Sequence, residues 1–328
     1  MNYCLANKLF LHILLMSNLL LVGYTYAENT DNKYANKIAI FYPQAKEPYN
    51  SIYQNIIAGS IEAANKSSKK ITIEKFIIEK KFNAEKIALT LEEKHINKVI
   101  VLGRSGWKLA KELSKFTLEN QTKKFQVVSG ALPISPNGLS GISLITDPAY
   151  LFNYLEQVAP NVKKIHVAYS KKSAWLIELA KSAALEKGLT LNLQKVNDTA
   201  EAITFYQQIF SSGVTNKDAI WLPFDRISSH DKITLPLILE NAWSKEVVVF
   251  SSKPSHAKRG ALFSTYPDNF SLGKHLFTMV HELDQQPEQK NFAALKSTLL
   301  AVNLRTAAHL GLKYSSEQQQ SFELTFPE

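Results

Sequence analysis

The sequence predicts an α/β protein made of two lobes of similar fold, each with a parallel sheet, and three observations support this. Short apolar, β-branched runs alternate with segments of helical apolar spacing along nearly the whole chain. The alternation falls into two consecutive series of similar size, separated by the turn signals Pro133, Pro136 and Gly138. The roughly 300 residues that follow the first 27 are enough for two domains of ordinary size.

The first series contains four strands and three helices. They are strand 38–42, helix 49–65, strand 71–78, helix 84–94, strand 99–102, a helix carrying Leu109, Leu113 and Phe116, and strand 125–129. After a short segment, GISLITDP, the second series begins. It contains helix 149–158, strand 164–169, helix 173–187, strand 190–196, helix 200–210, strand 218–223, helix 233–243 and strand 246–252. Such alternation implies parallel sheets with helices on both faces.

The boundary between the two lobes is predicted at Asp147-Pro148. Proline disfavours helix at the residue before it and is well suited to the first position of the next helix. The chain therefore has a natural point at which to leave one sheet and start the next.

The first 27 residues have the pattern of a secretory signal peptide. Lys8 precedes an apolar segment, 9–22, and Thr25-Tyr26-Ala27 offers small residues before a cut that we expect after Ala27. The one cysteine, Cys4, lies at the start of this segment, so it is not the lipidated cysteine of a lipoprotein. The mature chain then contains no cysteine, which excludes disulfides and a thiol nucleophile.

The charge is basic but dispersed. The formal net charge is +9, and the lysines are scattered, with only short pairs such as Lys69-Lys70 and Lys80-Lys81. Scattered lysines are typical of a solvated surface, so we expect no nucleic-acid partner. No later segment approaches the length of a membrane span, so we expect no direct membrane insertion.

The stretch VIVLGRSGWKLAKEL (99–113) reads as a strand, a glycine turn and a helix start. Such turns lie at the carboxyl end of a parallel strand, where ligands bind. Gly103 and Gly106 would let backbone approach a ligand, while Ser105 could cap the helix or donate to a carboxylate, and Arg104 could offer a bidentate fork. The alternative is an ordinary turn, with a solvated Arg104 and with Trp107 packed in the core.

Enzyme signatures fail in this sequence. His281-Glu282 has Gln285 where a zinc protease needs its second histidine, and the G-x-S-x-G, P-loop and G-x-G-x-x-G motifs do not occur. The run Ser-Ser-His-Asp at 228–231 looks like a helix N-terminus with capping side chains, because triad residues converge from separate elements. We therefore expect neither catalytic residues nor a metal or cofactor.

The last third of the chain carries a family resemblance. Its landmarks, in order, are Gly260-Ala261-Leu262, Tyr266, Asp268, Gly273 and the run NLRTAAHLG at 303–311, preceded by Gly138-Leu139-Ser140-Gly141. In this order they resemble the periplasmic substrate-binding proteins of the ABC-transporter family that includes tryptophan- and tyrosine-type binders.

The resemblance implies a type I periplasmic-binding fold, in which the chain crosses between lobes three times and ligand closes the cleft by a hinge motion. Lobe one would comprise 36–145 plus about 267–290, and lobe two 146–266 plus about 291–328, by the domain anatomy of that fold. The segment 266–287 would return to lobe one, and a strand near 295–303 would enter lobe two.

The implied function is capture of a small solute, amino acid-like or anionic organic, in the interlobe cleft for an ABC importer, with no cofactor. The partners would be the small-molecule ligand and the transporter permease, the location the periplasm and the state a monomer. The implied ligand-binding residues are Gln44, Tyr49, Arg104, Ser105, Trp107, Ser129, Gly130, Tyr169, Ser170, Phe224, Asp225, Ser251, Ser252 and Tyr266. Aromatic rings would sandwich the ligand, and hydroxyl and N–H groups would fix a carboxylate.

Two departures from the family pattern bear on the ligand. Lys253 follows Ser251-Ser252 where family members often carry an acid, and the fourth strand ends in Ser-Gly-Ala where Asp-Pro is common. Asp225 is then the main acid left to meet an amine, and Arg104 favours an anion. Two other functions stay open, a ligand-sensing periplasmic subunit that docks on a membrane receptor or signalling protein, and a secreted α/β enzyme.

Overall fold

Two β-sheets organise the protein, each assembled from strands far apart in the chain. The computed structural model describes residues 36–116, 125–283 and 291–327. The strands are β1 Lys37–Pro43, β2 Thr72–Ile78, β3 Lys98–Leu102, β4 Gln126–Leu132, β5 Ser140–Thr146, β6 Lys164–Tyr169, β7 Thr190–Lys195, β8 Asp218–Leu222, β9 Val248–Ser251, β10 Phe263–Pro267, β11 Phe292–Leu295, β12 Thr298–Asn303 and β13 Leu324–Phe326. The helices are α1 Tyr49–Lys66, α2 Ala84–Glu93, α3 Gly103–Leu113, α4 Pro148–Val158, α5 Ala174–Glu186, α6 Thr199–Ser211, α7 Thr234–Ser244, α8 Ser255–Lys258, α9 Asn269–Glu282, α10 Leu304–His309 and α11 Ser316–Gln320.

The strand order confirms the predicted fold class. The first sheet runs β11-β5-β4-β3-β1-β2 with every neighbouring pair parallel. The second runs β13-β12-β10-β9-β8-β6-β7 and is parallel except where β10 meets β12. We call the first sheet with α1, α2, α3 and α9 lobe one, and the second sheet with the other helices lobe two.

The chain crosses between the lobes three times, as the predicted fold requires. It leaves lobe one after β5, returns from β10 into α9, and leaves again between β11 and β12. The returning helix α9 packs mainly on α1 and also on β4. The strand predicted near 295–303 is observed as β12, and it enters lobe two as predicted. Strand β11, which precedes it, lies in the first sheet, and the chain changes sheets at Lys296 and Ser297.

Both faces of each sheet are covered, which explains the continuous apolar runs in the sequence. In β1, Ile38 and Ile40 join one cluster, while Ala39 joins the cluster on the opposite face. In β8, Trp221 and Leu222 divide between two clusters in the same way. Alternation of this kind within an unbroken apolar strand is what a two-sided parallel sheet needs.

Two glycines allow α1 and α9 to touch. A Cβ added to Gly59 would overlap the carbonyl oxygen of Phe270, and one added to Gly273 would overlap that of Ile56. Ser60 Oγ donates to the Gly273 carbonyl at 2.8 Å. This close backbone contact fastens the returning helix to lobe one.

Most predicted elements match the observed bounds closely, and three points differ. The segment GISLITDP contains a full strand, β5, and β4 continues to Leu132, beyond the predicted end at 129. Helix α3 begins at Gly103 with Leu102 as its N-cap, so Ser105 lies inside the first turn and does not cap it.

The predicted signal peptide, 1–27, lies outside the described residues. Within the described ranges, no helix combines the length and apolar character needed to cross a membrane.

Candidate functional site

The carboxyl ends of the parallel strands in the two lobes face each other. Strand β5 is parallel to β4 and runs directly into lobe two, so the carboxyl edge of the first sheet points towards lobe two. Strand β10 is parallel to β9 and runs directly back to lobe one. Open α/β sheets bind ligands at this edge, so the space between the two edges is the candidate site.

The three crossing segments lie side by side and bond to one another. Thr146 and Thr265 share a hydrogen bond of 2.8 Å between their hydroxyl oxygens. The Asp147 N–H donates to the Leu295 carbonyl at 2.9 Å, and the Asp268 N–H donates to the Ser297 carbonyl at 3.1 Å. These bonds form the hinge region from which the two edges diverge.

Two further contacts join the lobes, and neither could be predicted from residue spacing. Ser135, which follows β4, donates its hydroxyl to the Lys172 carbonyl at 2.8 Å. The rings of Trp175 and Phe292 meet edge to face, with centroids 5.6 Å apart and planes at 79°. Trp175 is the second residue of α5 in lobe two, and Phe292 is the first residue of β11 in lobe one, so this pair spans the two lobes.

The β3–α3 turn has the open geometry that its glycines predict. Gly103 has φ of +70°, and a Cβ there would lie 2.6 Å from the hydroxyl oxygen of Tyr53. No side chain caps the helix start, so its first N–H groups remain available to an acceptor. Arg104 is exposed and forms no ion pair with any described residue, while Ser105 is half-buried. The Tyr53 hydroxyl, which α1 places against this turn, is a neighbour that sequence reasoning missed.

Trp107 comes closer to the ordinary-turn alternative. Its ring is half-buried, and the Lys111 ammonium of the same helix lies 3.8 Å from the ring centroid. A cation this close occupies one face of the ring, so that face is not available for stacking on a ligand.

Of the remaining residues predicted to bind ligand in lobe one, two are exposed and two are buried. Gln44 is exposed, and Tyr49 is 63% exposed. Ser129 is buried and donates to the Ser140 carbonyl at 3.2 Å, which ties β4 to β5. A Cβ on Gly130 would lie 2.6 Å from Leu276 Cδ1, so this glycine faces α9. Ser129 and Gly130 therefore take part in packing, and the ligand contacts that the resemblance implied for them stay a prediction.

In lobe two, Asp225 is the centre of a buried hydrogen-bond cluster. Its Oδ2 accepts from the Ser170 N–H at 2.8 Å and from the Ser173 hydroxyl in a short hydrogen bond. Its Oδ1 accepts from the Ile227 N–H at 2.8 Å and, more weakly, from the Ser228 N–H at 3.4 Å. The carboxylate thus joins the β6–α5 loop to the β8–α7 loop.

Four donors use the acceptor sites of the Asp225 carboxylate, which has about four lone-pair positions. Burial acts to raise the pKa of this group, but the hydrogen bonds from Ser173 and Ser170 and from the backbone outweigh it, so the pKa lies below its ordinary value. Asp225 is therefore a charged residue that organises two loops. The sequence-based expectation that Asp225 meets a ligand amine stays a prediction, and the protein donors on its oxygens argue against it.

A second network lies at the end of β9. Ser251 Oγ is 2.8 Å from His256 Nδ1, and His256 Nε2 is 2.9 Å from Asp231 Oδ1. Lys253 Nζ completes the chain at 2.5 Å from Asp231 Oδ2. Asp231 therefore bonds to residues of the β9–α8 region, and α7 begins after Ile233 without a side-chain cap, so the predicted capping role of 228–231 is wrong.

The hydrogen-bonded series Ser251–His256–Asp231 has the residue order of a catalytic triad, but a substrate has no access to its serine. Ser251 is fully buried, and its Oγ also lies 3.0 Å from the Leu222 carbonyl. A nucleophile must reach its substrate, so the geometry favours a structural chain. Burial lowers the pKa of His256, an effect that the hydrogen bond to Asp231 only partly offsets.

The other lobe-two candidates surround these networks. Ser252 is buried and lies 3.3 Å from Trp221 Nε1, Ser170 is buried, and Tyr169 is half-buried against the lobe-two core. Phe224 is half-buried, with the Lys253 ammonium 5.9 Å from its ring centroid. Tyr266 lies apart, on β10. Burial raises its pKa, and the nearby Glu323 and Tyr154 add to that effect.

Comparison with known proteins decides the family. The profile described as ABC transporter substrate binding protein matches residues 136–321, more than half of the chain. The chain belongs to this family. Members are solute-binding proteins that bind small molecules and work with ABC transporters. A search of curated proteins finds no significant match.

Solved structures agree on the fold. A ligand-free, open substrate-binding protein with adhesive properties from Clostridium difficile is 17% identical, with a TM-score of 0.57, and the alignment covers 88% of this chain and 99% of that one. An ABC domain in complex with L-Trp from Streptococcus pneumoniae is 19% identical, with a TM-score of 0.48 over 89% and 99%. A conserved domain protein from Vibrio cholerae is 18% identical, with a TM-score of 0.47 over the same shares. The Clostridium difficile match, together with the two sheets and the three crossings, shows that the substrate-binding protein has the type I periplasmic-binding fold.

Proposed function

We propose that this protein captures a small solute, amino acid-like or anionic organic, between its two lobes and delivers it to the permease of an ABC importer. The observation that carries the proposal is the pair of facing strand-end edges joined by three crossing segments. Family membership supports the same conclusion. Hinge closure around a ligand is the motion that such a two-lobed arrangement favours.

The proposal assigns the solute contacts to accessible groups on both edges. In lobe one these are Gln44, Tyr49, Arg104 and Ser105, and in lobe two the half-buried rings of Tyr169 and Phe224. Rings can cover an apolar or planar part of a solute, and free N–H groups with a guanidinium can hold its carboxylate. Cleavage after Ala27, a periplasmic location and a monomeric state are parts of this proposal. So are the predicted lobe boundaries, except that the third crossing lies at 296–297 and not near 291, because β11 pairs in the first sheet.

A thermal-shift screen of residues 28–328 tests it. A ligand that binds only the native state raises the midpoint by mass action, so no assumption about mechanism is needed. We expect a clear rise with one class among amino acids, small carboxylates and nucleosides. If no class raises the midpoint, even after the protein has been unfolded and refolded to remove carried ligand, solute capture is contradicted.

Arg104→Ala makes the test specific to the site. Arg104 is exposed and has no ion-pair partner among the described residues, so the empty variant should keep its stability to within about 0.5 kcal/mol. Binding of an anionic hit should weaken, by isothermal titration calorimetry. A lower midpoint with unchanged affinity would show instead that Arg104 is structural.

A further inference from the structure

We propose that the cleft selects a solute that carries a carboxylate but no ammonium group, and that Lys253 is the residue that determines this specificity. The inference rests on the proposed function, since it names the solute class for the same cleft. It follows from how the charged groups at the lobe-two strand ends are already bonded.

Lys253 stands directly at the strand-end edge. It follows β9 by two residues, and its side chain is 25% exposed. Its ammonium lies 5.9 Å from the ring centroid of Phe224, which follows β8 on the neighbouring strand. The charge is therefore held beside a ring that can contact the apolar part of a solute.

Hydrogen bonds hold Lys253 both at its backbone N–H and at its ammonium. The Lys253 backbone N–H donates to Ser251 Oγ at 3.1 Å, and its Nζ donates to Asp231 Oδ2 at 2.5 Å. His256 Nε2 lies 2.9 Å from Asp231 Oδ1, and its Nδ1 lies 2.8 Å from Ser251 Oγ, whose hydroxyl donates to the Leu222 carbonyl at 3.0 Å. The buried His256 side chain holds Asp231, and Asp231 in turn sets the position of the Lys253 ammonium.

Lys253 can hold a solute anion without leaving Asp231. An ammonium has three donors, and Asp231 uses one of them in this structure. A solute carboxylate can therefore bind a second donor, in a charge-assisted hydrogen bond.

An ammonium on the solute would find no acid at this edge that is free of protein donors. Asp225 accepts from four protein donors, and Asp231 is held between Lys253 and His256. The solute amine would instead face the cation of Lys253, while the lobe-one edge offers both the exposed Arg104 and the exposed Glu47. Like charges brought together discriminate strongly against a ligand, so an α-amino acid should bind less well than its deaminated analogue.

Matched pairs that differ only in the amine test the inference. The pairs are 3-phenylpropionate with L-phenylalanine, indole-3-propionate with L-tryptophan, and glutarate with L-glutamate, each measured by calorimetry on the full mature chain. We expect the deaminated member of the binding pair to have at least a tenfold lower Kd. If the amino acid binds as tightly or more tightly, the inference is overturned while solute capture stands. If nothing in these pairs or in the wider screen binds, the proposed function fails as well.

Lys253→Met separates recognition from structure. Without the ammonium, Asp231 Oδ2 becomes available to a solute amine, so the ratio of the two Kd values in the pair should fall at least tenfold towards the amino acid. Lys245→Met is the matched control, since Lys245 is exposed just beyond the end of α7, and its ratio should not change. An unchanged ratio in Lys253→Met would show that Lys253 only holds the loops together. The ratio in the unmodified protein remains decisive if the variant does not fold.

Discussion

Replacing Asp225 by alanine is expected to destabilise the empty protein strongly. Three of its hydrogen bonds are well formed, to the Ser170 N–H, the Ser173 hydroxyl and the Ile227 N–H, and the fourth is long. A hydrogen bond to a charged group is worth about 1.5 kcal/mol at the low end, and buried donors left without a partner add to the loss. Since Asp225 is 8% exposed, little water can replace the carboxylate. We therefore expect a loss of about 4 kcal/mol in the free energy of unfolding, close to the cost of breaking a buried ion pair.

The measurement is urea unfolding followed by tryptophan fluorescence, with thermal unfolding as a second probe. A loss of this size lowers the midpoint of a protein this long by about 10 °C. Asp225→Asn keeps one acceptor oxygen but turns its NH₂ group towards donors, so it should cost about half as much. The matched control is Asp198→Ala, which removes one exposed N-cap bond to the Glu201 N–H at 2.9 Å and should cost about 1 kcal/mol.

One result would refute this reasoning about Asp225. If Asp225→Asn left the stability of the empty protein unchanged and abolished binding of an amine-bearing solute, the carboxylate would be a ligand group after all. The loops it joins would then be held by other contacts.

Two further predictions concern stability. Gly273→Ala should lower the free energy of unfolding by about 3 kcal/mol, because the added methyl overlaps the Ile56 carbonyl. In the control Gly188→Ala only the φ of +63° opposes the change, and the loss should be about 1 kcal/mol. Equal losses by urea unfolding would contradict the tight α1–α9 contact. Burial lowers the pKa of His166 and of His256, so the unfolded chain binds protons first and stability should fall as the pH drops below about 6.5. His166→Gln should flatten the decline of the thermal midpoint between pH 7.5 and 5, and an unchanged slope would exclude His166 as its source.

The fold was predictable because its signals are local and repeated. Strands such as β3 are apolar on both faces, and the helices between them show regular apolar spacing, so alternation alone indicated parallel sheets. Strand β5 escaped prediction because Ser140, Gly141 and Ser143 break its apolar pattern. It becomes a strand through pairing with β4 and with β11, which lies about 150 residues further on.

The candidate site was only partly predictable, for a different physical reason. Residue type and strand ends placed Arg104, Phe224 and Asp225 at the correct edges. Whether a polar group there is free depends on partners that sequence spacing does not show, such as Ser173, which is 52 residues from Asp225. The same holds for Asp231, whose position before a helix suggested a cap while its partners lie beyond β9.

Whether Asp225 and Asp231 already have protein partners decides which charge they can offer to a solute. By charge alone, Asp225 and Asp231 would make lobe two attractive to an amine. Their hydrogen bonds give a different result. The Asp225 carboxylate accepts from four protein donors, and the Asp231 carboxylate is paired with the Lys253 ammonium, which has further donors available. The charge that a solute meets at this edge is then the Lys253 ammonium. Asp225 and Asp231 hold the loops and the lysine in place, and the resulting site favours an anion.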